Sequence, residues 1–430
     1  MIGYFIDLHP ELMGGASQRT FEVIRRTHLS GLDYLIIPGI SMFKRTLKEK
    51  KKREQLLETL SKSKDKPIMD LMNILSDNSL FDSSKNYESF VTKYLERSGF
   101  RNVRFDIAYT SDAYINDFLH MKNFSRTSGM LLQIEPHYKG LLLALRRYRK
   151  FIALQGFSTK QVMEILRYFA YVYLSLQNEF LALNLIRKGM LKFILSVSSS
   201  PLKLSGIDRY DLLHITILDP AYAVEKELWK FNSKEKKEEY IVHYATLSPQ
   251  KGLFDVVKVM YLLYKKYKIN VKLLIFGRFS RDYYKDLFIK KVRSMGLEKL
   301  IEFGGYISDK RRIIDVVSRA KALIYPSHMD SFSLVVLEAL AAGTPVVAYD
   351  IPALREIYGK LNVVKLVKEG DVAGLANALN TVLNNNEIFE NFKDKSFLSF
   401  MEKYSSWDRV ASREFSSVRF LVEDDSIAKG

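Results

Sequence analysis

The sequence predicts an α/β protein built from two Rossmann-like domains, each a doubly wound parallel sheet. Three observations predict it. Short apolar runs alternate with helix-length amphipathic stretches through the C-terminal half, a β-α-β unit opens the N-terminal half, and 430 residues are too many for one ordinary domain. Apolar residues make up 47% and charged residues 27%, enough core for a globular chain. There is no cysteine, which excludes disulfides, thiolate catalysis and cysteine-bound metal, and with seven histidines a zinc site is not expected. The most apolar stretch, 169–176, is bounded by Arg167 and Glu179 and is too short to span a membrane. The opening MIGYFIDLHP has no basic region before it and reads as a strand rather than a secretory signal, so a cytoplasmic protein is expected.

In chain order, residues 2–8 are a short apolar strand, Gly14-Gly15 a turn, 17–29 a helix and 34–38 a second strand. Further strands are expected at 107–110, 130–135 and 193–198, with a long helical region at 158–189 that Ser158 and Thr159 can cap. Residues 224–240 (VEKELWKFNSKEKKEEY) are strongly charged and lead into a new strand; they mark a domain boundary, a solvated surface helix, or both. Beyond them strands are expected at 241–245, 271–276, 300–303, 322–325, 345–349 and 363–366. Helices fall between at 252–267, 281–295, 309–319 and 333–342. The chain thus divides into 1–225, 226–400 and a closing segment 401–430. In such sheets ligands bind at the carboxyl ends of the strands.

The chemistry concentrates in HMDSFSLVVLEALAAGTPVVA, residues 328–348. A strand ends at Tyr325-Pro326, a polar loop follows, and a helix opens near Ser333 and closes before Gly343, a natural C-terminal cap. The amides of Ser333, Leu334 and Val335 at the helix start, with the helix dipole, suit a diphosphate. Glu338 stands in an otherwise apolar stretch, where an unpaired buried carboxylate costs several kcal/mol, about 3 or more. It is either on an exposed helix edge, the ordinary place for a glutamate, or partnered. A ribose diol offers two hydroxyls that one carboxylate can accept. Asp330, eight residues earlier, favours a ligand-facing reading.

These residues resemble the donor-site signature of the family 4 glycosyltransferases of the GT-B fold, the group 1 type. That signature has two acids eight apart around Gly-Phe-Gly-Leu; here it reads Asp330-Ser331-Phe332-Ser333-Leu334 and ends at Glu338. The stretch 245–252 (ATLSPQKG) resembles the family's GRLSPEKG, 303–309 (FGGYISD) its F-x-G-x-V-S-D, and 343–348 and 351–356 match closely as well. The resemblance is strong over 240–360 and weak elsewhere. It implies two domains facing a cleft and retaining transfer of a hexose-type sugar from a nucleotide-sugar to a glycan, glycolipid or lipid-linked acceptor, with no metal or other cofactor. It implies that Lys251 neutralises the diphosphate, Glu338 holds the ribose and Asp330 faces the donor sugar. The amides of Ser331, Phe332, Ser333, Leu334 and Val335 would cradle phosphate and sugar, and Tyr306 would lie near the base. In the N-terminal half Gly14-Gly15 resembles the family's glycine pair, and His137, with Glu135 as rival, is the candidate for its cleft histidine. Residues 405–420 resemble the closing helix that returns to the first domain.

The sequence also departs from the family. Thr246 stands where the family has the arginine that partners Lys251, leaving one diphosphate cation missing; Arg278 or Arg281 is the candidate replacement. Asp330 is one methylene shorter than the usual glutamate, and Ser333 replaces a glycine. A catalytically weak nucleotide-sugar binding or scaffold protein is therefore the alternative. The net charge of +17 implies anionic partners. Its densest run, 44–53 (KRTLKEKKKR), suits peripheral contact with an anionic inner membrane face, or is a solvated loop; a second cluster is Arg146, Arg147, Arg149 and Lys150. No motif or aromatic-interleaved basic platform supports nucleic-acid binding.

Overall fold

The computed structural model describes residues 1–10, 14–100, 103–111, 124–133, 180–211, 213–231 and 237–424, with isolated positions between 169 and 177. His137, Glu135, Ser158, Thr159 and the basic cluster at 146–150 lie outside the described residues. The chain forms two compact units. One takes Met1–Leu145, Leu166–Tyr222 and Trp407–Gly430, and the other includes Ala223–Ser406.

The first unit is a six-stranded, all-parallel sheet. Its strands are β1 (Ile2–Ile6), β2 (Tyr34–Pro38), β3 (Phe105–Thr110), β4 (Ser125–Leu132), β5 (Leu191–Ser196) and β6 (His214–Ile217), in the order β2-β1-β3-β4-β5-β6. That order turns between β1 and β3, the switch point of a flavodoxin-like sheet. β4 begins five residues before the expected 130, because its first half, Ser125-Arg126-Thr127-Ser128, is polar. Ser125, Thr127 and Ser128 are nevertheless buried, and Ser125 and Ser128 hydroxyls bond at 2.7 Å. β6 carries no sequence signal strong enough to predict it.

Helix α1 (Gly15–Ile24) follows β1, starting two residues before the expected 17, and Gly14 at φ 86° makes the turn into it. The basic run 44–53 is helical rather than a loop. A wide turn at Phe43–Leu47 leads into α2 (Lys50–Leu60), where Lys50 and Lys51 are exposed. Arg53 instead turns inward and bonds Leu47 O at 2.8 Å and Asn78 Oδ1 at 2.7 Å.

The closing helix of this unit, labelled α8 below, spans Trp407–Glu423. It meets α1 through a fully buried ion pair, Arg19 Nη2 to Glu414 Oε2 at 2.7 Å. Tyr109 Oη donates to Glu414 Oε1 at 2.8 Å, and Arg19 Nε donates to Ala221 O at 2.7 Å. The ion pair neutralises both charges; removing either partner would strand the other in the core, at about 3–5 kcal/mol.

The second unit is again all parallel. Its strands are β7 (Tyr240–Tyr244), β8 (Lys272–Phe276), β9 (Ile301–Gly305), β10 (Leu323–Tyr325), β11 (Val346–Asp350) and β12 (Val364–Lys368), in the order β12-β11-β10-β7-β8-β9. Every residue of β7 and the first four of β11 are buried, as expected for strands covered on both faces. The helices between are α3 (Leu253–Lys265), α4 (Asp282–Ser294), α5 (Lys310–Arg319), α6 (Leu334–Ala341) and α7 (Val372–Asn384). Strands and helices lie within a few residues of the expected ranges. The stretch 224–240 is not a surface helix where described. It makes one tight turn, Lys226–Leu228, and is then tied down: Lys230 N–H donates to Ala341 O at 2.7 Å and the Phe231 ring packs on Phe397.

Candidate functional site

The strand order of the second unit reverses between β7 and β10, so the loops leaving these two strands flank the switch point where doubly wound sheets bind ligands. The loop after β7 contains exposed Thr246 and a tight turn, Pro249–Lys251, ending at Gly252 with φ 75°. A Cβ on Gly252 would stand 2.2 Å from Pro326 O, so only glycine allows this turn to lie against the loop after β10. That close approach delivers Lys251. Its Nζ donates to Met329 O at 3.0 Å and to Asp330 Oδ2 at 2.8 Å. Tyr325 Oη, at the end of β10, donates to the same Asp330 oxygen at 2.6 Å.

Lys251 stands just before the start of α3, where a cation opposes the helix dipole, and Asp330 supplies the counter-charge. Burial, and then the neighbouring Asp330 charge, push the Tyr325 hydroxyl well above its ordinary pKa, so it remains a donor.

Ser333 precedes α6 in the left-handed region, φ 68°, a conformation that suits glycine and explains why the family signature has one there. Its carbonyl accepts from Tyr358 Oη at 3.1 Å. Leu334 and Val335 open the helix, both half-buried, and their amides head its dipole. Ser331 and Phe332 are buried, and the Phe332 ring packs between Tyr358 and Tyr404, so it contributes backbone rather than side chain to the loop.

Glu338 lies one turn further on and is 3% exposed, which removes the exposed-edge reading. It is partnered on both oxygens. Lys310 Nζ, at the start of α5, donates to Oε1, and Tyr244 Oη, at the end of β7, donates to Oε2 at 3.2 Å and to Val335 O at 2.9 Å. Burial and then the Glu338 charge raise the Tyr244 hydroxyl's pKa, keeping it a donor as well. Tyr358 feels the charges of both Asp330 and Glu338, so the two acids bracket one small region.

Lys310 was not singled out in the sequence. Its signal was available, a lysine directly after the Ser-Asp that caps α5, but nothing local says that this helix start faces position 338. Arg278 follows β8 with its guanidinium stacked 4.3 Å over the Tyr306 ring, while its carbonyl accepts from Leu247 N–H at 2.8 Å. The structure thus places the candidate replacement cation on Tyr306 and a different cation, Lys310, on Glu338.

In the first unit Gly14 and Gly15 lie at the carboxyl end of β1, as do Asp7 and His9. Asp7 N–H bonds Ser111 Oγ at 3.2 Å, and Arg45 pairs with the Asp7 carboxylate at 3.0 Å. Gln133, past β4, is buried and donates to Thr20 Oγ1 at 2.8 Å and Ser111 O at 3.0 Å. Asp7, Ser111 and Gln133 carried no sequence motif.

Residues 225–397 match the family described as glycosyl transferases group 1. This segment belongs to the group 1 glycosyltransferases. The chain is 29% identical over 177 residues to a glycogen synthase of Mycobacterium tuberculosis, covering 40% of this chain and 41% of that protein. It is 35% identical over 125 residues to a phosphatidyl-myo-inositol mannosyltransferase of Mycobacterium leprae, covering 29% of this chain and 31% of that one. The chain therefore spans less than half the length of either relative. Among solved structures, a sucrose-phosphate synthase from Thermosynechococcus elongatus matches with a TM-score of 0.61 at 17% identity, over 98% of this chain and 99% of that one. The shared architecture of two Rossmann-like units is the GT-B fold. Among the described residues no helix is long and apolar enough to cross a membrane.

Proposed function

We propose that the protein is a retaining glycosyltransferase that moves a hexose-type sugar from a nucleotide-sugar to a glycan, glycolipid or lipid-linked acceptor. The observation that carries this reading is the grouping of Lys251, Asp330, Glu338 and the amides opening α6 at the switch point of one sheet. In this reading the donor diphosphate lies on the amides of Leu334 and Val335, and Lys251 Nζ exchanges part of its contact with Asp330 for a phosphate oxygen. Glu338 accepts the ribose hydroxyls and Asp330 the hydroxyls of the sugar.

The demand of the reaction is stabilising charge on the leaving diphosphate, and fixed cations and helix-start amides supply it with little reorganisation. The acceptor oxygen bonds to the anomeric carbon as the carbon–phosphate-oxygen bond breaks, and its proton passes to the departing diphosphate. The mannosyltransferase relative, whose printed name includes a phosphatidyl lipid, is one reason to include lipid acceptors. The exposed lysines at the start of α2 suit a peripheral site on an anionic membrane.

Calorimetric titration with UDP-, GDP- and ADP-sugars tests the reading. One class is expected to bind, Glu338→Ala to weaken it by about 100-fold through loss of two charge-assisted hydrogen bonds, and Lys251→Ala by about tenfold. Absence of binding by every class would overturn it. The second reading, a weakly catalytic binding protein, is favoured by Asp330, whose short carboxylate is already engaged by Tyr325 and Lys251. Tight donor binding without donor hydrolysis or transfer to an acceptor extract would select that reading.

A further inference from the structure

His328 stands two residues before Asp330 in the loop after β10, with its side chain only 14% exposed. Its Nε2 lies 3.1 Å from Asp255 Oδ2, on α3, and its Nδ1 lies 3.0 Å from Glu369 Oε1, just past β12. Ionised carboxylates only accept hydrogen bonds, and a neutral imidazole has a single N–H to give. Both contacts are therefore made only by the imidazolium, which donates from each nitrogen.

The backbone N–H of His328 donates to Gln250 O at 2.9 Å, the residue immediately before Lys251. The ring also packs on Tyr349 of β11, with centroids 5.0 Å apart. One residue thus joins the Asp330 loop to the Lys251 turn, to α3, to β11 and to the segment after β12.

The charges around the ring favour the cation. Asp255 and Glu369 touch it directly. Lys258 Nζ offsets part of the Asp255 charge at 2.8 Å, Lys291 interacts with Asp255 and Lys258 further off, and Tyr349 Oη donates to Asp255 Oδ2 at 3.0 Å. Asp371 adds a further negative charge near Tyr349. Burial works against protonation of His328, but the bonds and charges of Asp255 and Glu369 outweigh it and raise its pKa. Burial alone would likewise raise Asp255, yet His328 and Lys258 hold it down at about 2.

The loop has further anchors beside His328. Tyr325 and Lys251 grip the Asp330 carboxylate, and Ser327 Oγ and Lys251 bond Met329 O. Tyr325 reaches Asp330 from the end of β10 and Tyr358 Oη reaches Ser333 O, while the Lys251 turn is joined to this loop at Gln250 by the His328 N–H.

We propose that His328, clamped between Asp255 and Glu369, is the positioning residue of the donor loop, setting Asp330 and Lys251 in the arrangement that receives a nucleotide-sugar. This rests on the donor-site reading above. The clamp has a sign. A raised histidine keeps its bonds below its folded pKa and loses them as pH rises through that value, when one carboxylate comes to face a bare nitrogen lone pair. Donor affinity should therefore fall on the alkaline side.

The test uses the full chain, with UDP-glucose, GDP-mannose and ADP-glucose titrated in turn across a pH series. Hydrogen exchange of amides 326–333 is followed in parallel, expressed as protection so that intrinsic pH effects cancel. For whichever sugar binds, wild type is expected to weaken by about tenfold from about pH 6 to about pH 9. His328→Gln is expected to bind about tenfold more weakly at low pH, with no pH dependence. Glu369→Gln, which leaves Asp255 in place, is expected to move the midpoint to lower pH. Protection of 326–333 should fall in His328→Gln and, in wild type, with rising pH. An unchanged affinity in His328→Gln, or an unmoved midpoint in Glu369→Gln, would overturn the proposal. If none of the three sugars binds wild type, the donor reading falls, and the exchange data alone judge the clamp: protection equal in wild type and His328→Gln would end it.

Discussion

Glu338 and Lys310 share one contact but not one environment, and that asymmetry yields a test of how the site is held together. Glu338 has a side chain 4% exposed, whereas the Lys310 side chain is 35% exposed. Replacing Glu338 by Gln keeps the shape and leaves Tyr244 bonded to Val335 O, while the released lysine can turn to water. The loss is about 1 kcal/mol, that of a partly screened contact. Replacing Lys310 by Met leaves a buried carboxylate with a single hydroxyl donor, which it shares with Val335 O. Stranding a buried charge costs about 3–5 kcal/mol in full, and the remaining donor places this case near about 3 kcal/mol.

For a unit of this size about 1 kcal/mol shifts Tm by about 2–4 °C. The transition of the second unit, followed by differential scanning calorimetry at pH 7, should thus fall by about 2–4 °C in Glu338→Gln and by about 6–12 °C in Lys310→Met. Equal shifts, or a larger one in Glu338→Gln, would refute the account of Glu338 as a charge that Lys310 neutralises.

Three further outcomes are expected. Ser333→Gly should stabilise the protein by about 0.5–1 kcal/mol, because glycine relieves the left-handed φ of 68° at a smaller cost in unfolded-chain entropy, while Ser333→Ala should not; urea unfolding of both decides it. His243, inside β7, is held down to about 4 by burial against an ordinary 6.5, and bonds Ile324 O through Nδ1 at 2.9 Å. A depressed histidine leaves stability complete above 6.5 and removes it as pH falls toward 4, here by up to about 3 kcal/mol. His243→Gln should flatten that part of the wild-type stability profile, and parallel profiles would show that burial does not depress the His243 pKa. Changing Lys50, Lys51 and Lys52 to Gln should weaken sedimentation with phosphatidylserine vesicles by at least about tenfold, at about 1 kcal/mol per lysine. Equal sedimentation of both proteins would end the membrane reading.

Much of the second unit was legible in the sequence because its signals are local. Buried parallel strands read as unbroken apolar runs, and α6 begins and ends on residues that change backbone conformation, Ser333 at its start and Gly343, φ 72°, just past its end. The candidate acids and Lys251 were legible as a motif. Their partners were not: Lys310 is 28 residues from Glu338 and Tyr244 is 94 away. The first unit was less readable. The first half of β4 is polar yet buried, so periodicity missed it, and the inward turn of Arg53 is decided by Leu47, Asn78 and the Phe81 ring rather than by its own run of lysines.

The sequence by itself determined the alternation of strands and helices, the helix start that offers amides to an anion, and which side chains could carry charge there. These follow from backbone conformation and hydrophobic period, which a short stretch of chain already contains. Only the tertiary structure decided that β7 and β10 are neighbours, and with that pairing came the meeting of Lys251 with Asp330, the burial of Glu338 against Lys310 and Tyr244, and the clamp on His328. Strand order is a property of the packed sheet, and the energy of a buried charge depends on every element that surrounds it, so neither can be read from one segment alone.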